Sequence, residues 1–158
     1  MTFGLFYAKG LGREQSYQKA IKWMTQPAEK GESEAQNAMG YLYMEGLGVS
    51  KDGVIAMEWL MESALQGNTA AQNNIGQLYW YGNNGMERDQ AKAMQWFLKS
   101  VALGDDYAHL NLGMIYERGQ IVPQDYEKVL GHYQQAASKD VPNLESRIKE
   151  LKEKINYQ

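Results

Sequence analysis

One glycine, returning at a fixed interval, constrains this chain more than any other feature. Gly4, Gly40, Gly76 and Gly113 stand 36, 36 and 37 residues apart. Tyr7, Tyr43, Tyr79 and Tyr116 keep the same intervals, and so do Gly10, Gly46, Gly82 and Gly119. A second set comprises Trp23, Trp59 and Trp96, with His132 in the fourth place. Three residues before these stand Ala20, Ala56, Ala93 and then Val129; eight residues after them stand Gly31, Gly67, Gly104 and then Asp140. The longer interval comes from one extra residue in Gly82-Asn83-Asn84-Gly85. Self-similarity on this scale marks a stack of small units, each burying its apolar face only against its neighbours.

Each unit reads as two helices. Ala35, Met39, Gly40 and Tyr43, then Ala71, Ile75, Gly76 and Tyr79, fall at i, i+4, i+5 and i+8, one stripe of a helix. Glycine inside a helix costs about 1 kcal/mol relative to alanine. Its recurrence at one register therefore predicts close approach by the partner helix, where Ala56, Ala64 and Ala93 supply small residues. Gly10-Leu11-Gly12, Gly46-Leu47-Gly48 and Gly82-Asn83-Asn84-Gly85 break the pair, glycine giving the left-handed conformation that ends a helix. Asp52, Asp89 and Asp125 stand where an N-cap would accept the free amides of the second helix, with Ser16 in that place in the first unit. Pro123 falls in the loop before Asp125.

After Val141-Pro142, Asn143 is placed to cap a last helix with Leu144, Ile148, Leu151 and Ile155 on one side. The other side, Glu145, Arg147, Lys149, Glu150, Lys152, Glu153 and Lys154, is charged, as the terminal cap of a stack requires. The expected fold is all-α: a superhelical solenoid of about four helix–turn–helix repeats with a C-terminal capping helix. The units are 1–31 (first helix truncated), 32–67, 68–104 and 105–140, with the cap at 141–158, all one domain.

Composition removes several function classes. With 44% apolar and 22% charged residues in 158, a packed core is within reach. Net charge is −3 with both signs scattered, so there is neither the basic stripe of a nucleic-acid binder nor a basic face for anionic membranes. The absence of cysteine excludes disulfides, thiolate metal sites and cysteine nucleophiles. No apolar run approaches the roughly 20 residues that span a bilayer. The N-terminal residues lack the pattern of a secretory signal. That leaves the compartment open: cytoplasmic as the sequence stands, periplasmic if a leader has been removed. The short first unit likewise leaves open a fragment of a longer array.

The pattern Ala35-x-x-x-Met39-Gly40-x-x-Tyr43-x-x-Gly46-x-Gly48-Val49-x-x-Asp52, followed by Ala56-x-x-Trp59 and Gly67, resembles the Sel-one-like repeat, a relative of the tetratricopeptide repeat. The third unit matches with Asp89, Lys92-Ala93, Trp96 and Gly104; Ser16, Val129, His132 and Asp140 are departures in the outer units. The resemblance implies a right-handed superhelix of antiparallel helix pairs that serves as an adaptor for protein partners. One branch of the family staples its repeats with cysteines, which this chain lacks.

The repeat glycines, tyrosines and tryptophans are then expected in the packing. In related solenoids the first helices line the concave face. First-helix residues outside the motif become the candidate partner-binding set: Asn37, Tyr41, Met44 and Glu45; Asn73, Gln77, Trp80 and Tyr81; Leu110, Met114, Glu117 and Arg118. Tyrosine, tryptophan and arginine dominate binding hot spots, and methionine suits adaptable surfaces. His109 and His132 have no His, Cys or carboxylate at i+3 or i+4, so neither suggests a metal pair, and no oriented partner for a catalytic histidine can be named. Asp105-Asp106 reads as a helix start, and the glycine-rich turns lack the Gly-Lys-Ser/Thr of a phosphate loop.

The sequence thus predicts a non-enzymatic scaffold that holds another protein or peptide in its concave groove. No cofactor, metal, nucleic acid, membrane insertion or small-molecule substrate is expected. The alternatives are an immunity protein that neutralises a secreted bacterial toxin or effector and, in another class, a small repeat-built hydrolase.

Overall fold

The computed structural model describes residues 14–82, 85–136, 141 and 143–156, with side chains from residue 17 onward. All regular structure among them is helical: α1 (Glu14–Glu29), α2 (Ser33–Glu45), α3 (Gly53–Leu65), α4 (Thr69–Tyr81), α5 (Gln90–Ala102), α6 (Asp106–Arg118), α7 (Tyr126–Ala136) and α8 (Leu144–Asn156). The pairs α2–α3, α4–α5 and α6–α7 pack within units; α1 on α2, α3 on α4, α5 on α6 and α7 on α8 join one unit to the next. The first unit's proposed first helix and its Gly10-Leu11-Gly12 turn lie outside the described residues, as does Asp140.

The helix boundaries follow from backbone chemistry. Gly46, Gly82 and Gly119 take φ of 71°, 62° and 61°, and their amides close the ends of α2, α4 and α6. Asp52 accepts from Val54 and Ile55 amides at 2.9 and 3.0 Å, Asp89 from Lys92 at 2.9 Å, and Asp125 from Lys128 at 3.0 Å, capping α3, α5 and α7 as expected. Asp105 caps α6 through the Tyr107 amide and also accepts from Ser100 Oγ at 2.7 Å. Two cap assignments need correction. Ser16 lies inside α1, which begins at Glu14, so it does not cap that helix. Asn143 sits at φ 63°, a left-handed conformation asparagine tolerates better than most residues, and it meets α8 through its carbonyl, which accepts from the Arg147 amide.

The repeat glycine makes room first for a side chain, and at Gly40 the Ala56 carbonyl oxygen would also stand 3.1 Å from an added Cβ. A Cβ on Gly40 would stand 2.5 Å from Leu60 Cγ, and one on Gly76 would stand 2.5 Å from Phe97 Cε1; Gly113 faces the Tyr133 ring in the same way. Leu60, Phe97 and Tyr133 each come one residue after the Trp59, Trp96 and His132 position, so each of the last three units drives one large knob into one glycine hole. All three are buried. A second periodic tie fastens helix ends: Ser63 Oγ donates to the Ser33 carbonyl at 2.7 Å, and Ser100 Oγ lies 2.8 Å from the Thr69 carbonyl, its one proton shared between that oxygen and Asp105.

The motif rings pack less uniformly than their register implies. Trp59 lies half-buried against the cluster of α1 and α2, including Met24, Ala28 and Met39, and Trp96 against the next cluster along. The tryptophan thus belongs to the joint with the preceding unit. Trp23 departs from the expectation: it is 64% exposed. At the far end, Leu144 and Leu151 of α8 are buried against Val129, Tyr133 and Ala136, while Glu145, Lys149, Glu150 and Lys152–Lys154 face solvent, as a cap requires.

Candidate partner-binding groove

Side-chain hydrogen bonds join the first helices across the units. Asn74 Nδ2 donates to Asn37 Oδ1 at 3.0 Å and Asn111 Nδ2 to Asn73 Oδ1 at 2.8 Å. In each bridge the acceptor is three residues before its repeat glycine and the donor two before the next. α2 and α4 also touch directly. Among the second helices, a hollow of about 680 Å³ opens between α1 and α3. The bridges set α2, α4 and α6 side by side along one face of the stack, the face that the family resemblance puts on the inside.

Counting from the repeat glycine sorts the twelve predicted residues. One residue on come Tyr41, Gln77 and Met114, the first exposed and the others half-buried. Five residues on come Glu45, Tyr81 and Arg118, all exposed, Tyr81 by 61%. These six make two parallel rows that solvent reaches. Burial and the neighbouring carboxylate of Glu45, with Tyr17 beyond it, hold the Tyr41 hydroxyl above its ordinary pKa of 10.0.

The row four residues on is different. Met44 is buried with Ala56, Leu60 and Ile75, and Trp80 with Ala93, Phe97 and Ile115, so both join core rather than open surface. One turn of helix separates this row from the glycine, and it faces the same joint. Arg118 still reaches the Trp80 ring, its guanidinium carbon 6.0 Å from the centroid. Glu117, the fourth-unit member, is a strut. It accepts from the Tyr133 hydroxyl at 2.8 Å and pairs with Arg147 of α8, which also bonds Glu150 at 2.6 Å. Tyr133 stands where the earlier units have Leu60 and Phe97, and its added hydroxyl needs an acceptor once buried. Burial first, and then Glu117, drive that hydroxyl's pKa well above the ordinary tyrosine range. Three residues before the glycine, Asn37 and Asn73 are occupied by the cross-unit bridges, Asn73 buried, and Leu110 packs against the last cluster.

Sequence spacing found no partner for either histidine, yet the fold supplies one. His109 Nδ1 and His132 Nδ1 stand 2.8 Å apart, so one ring donates and the other accepts. His132 also stacks on Tyr116, with centroids 5.6 Å apart and planes 13° from parallel. Burial chiefly, then His109 and Lys128, hold the His132 pKa below its ordinary 6.5. Four residues before a repeat glycine, Gln36 and Gln72 precede His109; that shared register was the available signal. Among the described residues no three histidine, cysteine or acidic side chains gather as a metal site would need.

These features define an all-α repeat solenoid with a cohesive interior and an inner face of non-motif side chains. The Sel1 repeat model matches residues 3–32, 33–68, 69–105 and 106–141, and the chain belongs to that family. Among solved structures, a Sel1 repeat protein from Oxalobacter formigenes is 29% identical, with a TM-score of 0.73 over 92% of this chain and 58% of that one. A protective antigen of uropathogenic Escherichia coli with an SLR fold is 35% identical, with a TM-score of 0.72 over 92% of this chain and 31% of that one. A sel1 repeat protein of Klebsiella pneumoniae, 19% identical with a TM-score of 0.61, covers 94% of this chain and 76% of its own, and shares the fold. The chain therefore spans less than two thirds of the first two. No curated protein matches it. Sel1 repeats generally mediate protein–protein interaction.

Proposed function

We propose that this chain is a scaffold that holds a protein or peptide segment along its inner face, in contact with Tyr41, Glu45, Gln77, Tyr81, Met114 and Arg118. The observation that carries the reading is the division of labour by register. Apart from Trp23, the described motif positions and the row four residues after Gly40, Gly76 and Gly113 are used in packing, while the rows one and five residues after those glycines stay open and hold two tyrosines, a methionine and an arginine. The outer row reads acid, ring, base from Glu45 through Tyr81 to Arg118, which favours an extended segment with a cation toward α2 and an anion toward α6. The dent bounded by Gln77, Tyr81, Met114 and Arg118 encloses only about 10 Å³, so the face suits a broad partner better than an engulfed small molecule.

The test is affinity capture from the source cell with the wild-type chain and with Tyr41→Ala/Tyr81→Ala. A partner held by wild type and lost or strongly weakened by the double variant, at unchanged helical content and melting, supports the groove. Retention of the same partners by the variant overturns it.

A further inference from the structure

On the opposite side of the stack, the hollow between α1 and α3 is built unlike its counterpart one unit on. Its walls carry the half-buried Trp59, Met57 and Met61 and three exposed carboxylates, Glu29, Glu58 and Glu62. One unit later the corresponding residues are Trp96, Met94, Leu98, Leu65, Gln95 and Lys99. The ring and its apolar neighbours are kept; all three acids are replaced. Stacking therefore needs the ring but not the carboxylates.

The third unit also shows what the ring at this register takes. Lys99 Nζ lies 4.1 Å from the centroid of Trp96, a cation over an indole face. Three residues after Trp59 the chain places Glu62 instead, so the second unit lacks that internal cation and surrounds its ring with negative charge. Among the described residues none of Glu29, Glu58 and Glu62 forms an ion pair. Gln36, at the floor, is already engaged with Gln66 and the Ala28 carbonyl.

We infer that this hollow is a docking site for an arginine side chain presented by a partner protein, with its guanidinium stacked on Trp59 and paired with the carboxylates of Glu58, Glu62 and Glu29. Arginine fits better than lysine because its planar fork can stack on a ring and bond a carboxylate with two parallel N–H groups at once, and it is less strongly hydrated than an ammonium. Met57 and Met61 give the aliphatic stem an adaptable apolar wall. The site lies on the second helices, away from the groove rows, so it stands or falls independently of the proposed inner-face function.

The chain's four tryptophans provide separate reporters. An acetylated, amidated Gly-Arg-Gly-Arg-Gly peptide is titrated into the 15N-labelled full chain while the indole N–H resonances are followed, with Trp59 assigned by Trp59→Phe. The expected result is a saturable shift of the Trp59 resonance with Trp23, Trp80 and Trp96 unmoved. The equivalent lysine peptide and tetramethylammonium should bind more weakly. Glu62→Lys, which installs the third unit's arrangement, should weaken the arginine peptide about tenfold or more. If that variant melts lower than wild type, Glu29→Gln/Glu58→Gln replaces it, with the same weakening expected. Equal shifts at all four indoles, unchanged affinity in the charge variants, or equal binding of tetramethylammonium would overturn the assignment.

Discussion

At the scale of single residues, the repeat glycine shows how a locally unfavourable choice is offset by packing. Alanine would be the better helix former, but at position 76 its methyl would stand 2.5 Å from the buried Phe97 ring. Gly76→Ala should therefore destabilise the fold by about 1–3 kcal/mol despite the gain in propensity, as overpacking does; urea unfolding followed by circular dichroism measures it. The same register in the fourth unit holds Tyr133, and Tyr133→Phe leaves the ring in its hole while removing a hydrogen bond to Glu117. Its cost should be about 0.5–1.5 kcal/mol, visible in the same melt and smaller than that of Gly76→Ala. Caps and left-handed glycines were legible in the sequence because they depend on three or four adjacent residues. The knobs Leu60, Phe97 and Tyr133 were not, because leucine, phenylalanine and tyrosine share no letter and only the opposing glycines reveal their common task.

At the scale of helices, the groove was half legible. A repeat names the inner helices, but which side of each faces a partner depends on where the next unit sits. Met44, Trp80 and Glu117 share one register and were grouped with the open residues; the joint takes all three. A carboxylate in a row otherwise filled by methionine and tryptophan was the clue that Glu117 serves a local need, the hydroxyl of Tyr133. The α6–α7 pair carries its own pH sensitivity through His132. Its folded pKa is depressed below the ordinary 6.5. Above 6.5 the ring is neutral in both states. As pH falls through 6.5 the unfolded chain takes up the proton first, so the contribution is present above that value and is lost progressively down to the folded pKa. Stability should decline below 6.5, and His132→Trp, which restores the motif residue, should flatten that part of the profile in melts at stepped pH.

At the scale of the whole molecule, the main packing among the described helices joins each unit to its neighbours, so damage at one end should stay there. Leu151, on the buried side of the capping helix, is fully buried, and Leu151→Ala should cost about 2–5 kcal/mol by cavity formation. Hydrogen exchange should rise in α6, α7 and α8 while amides of α2 and α3 keep their protection, as nearest-neighbour stacks behave; uniform loss of protection would show a single cooperative block instead. The asparagine bridges have a mechanical consequence. Because these polar struts cross successive units along one edge, that edge has a set pitch, and elastic strain from loading concentrates in the edge without them. Whatever spans the inner surface meets contact points at nearly constant spacing, whereas the outer surface acts as the spring, widening or narrowing as the bow flexes.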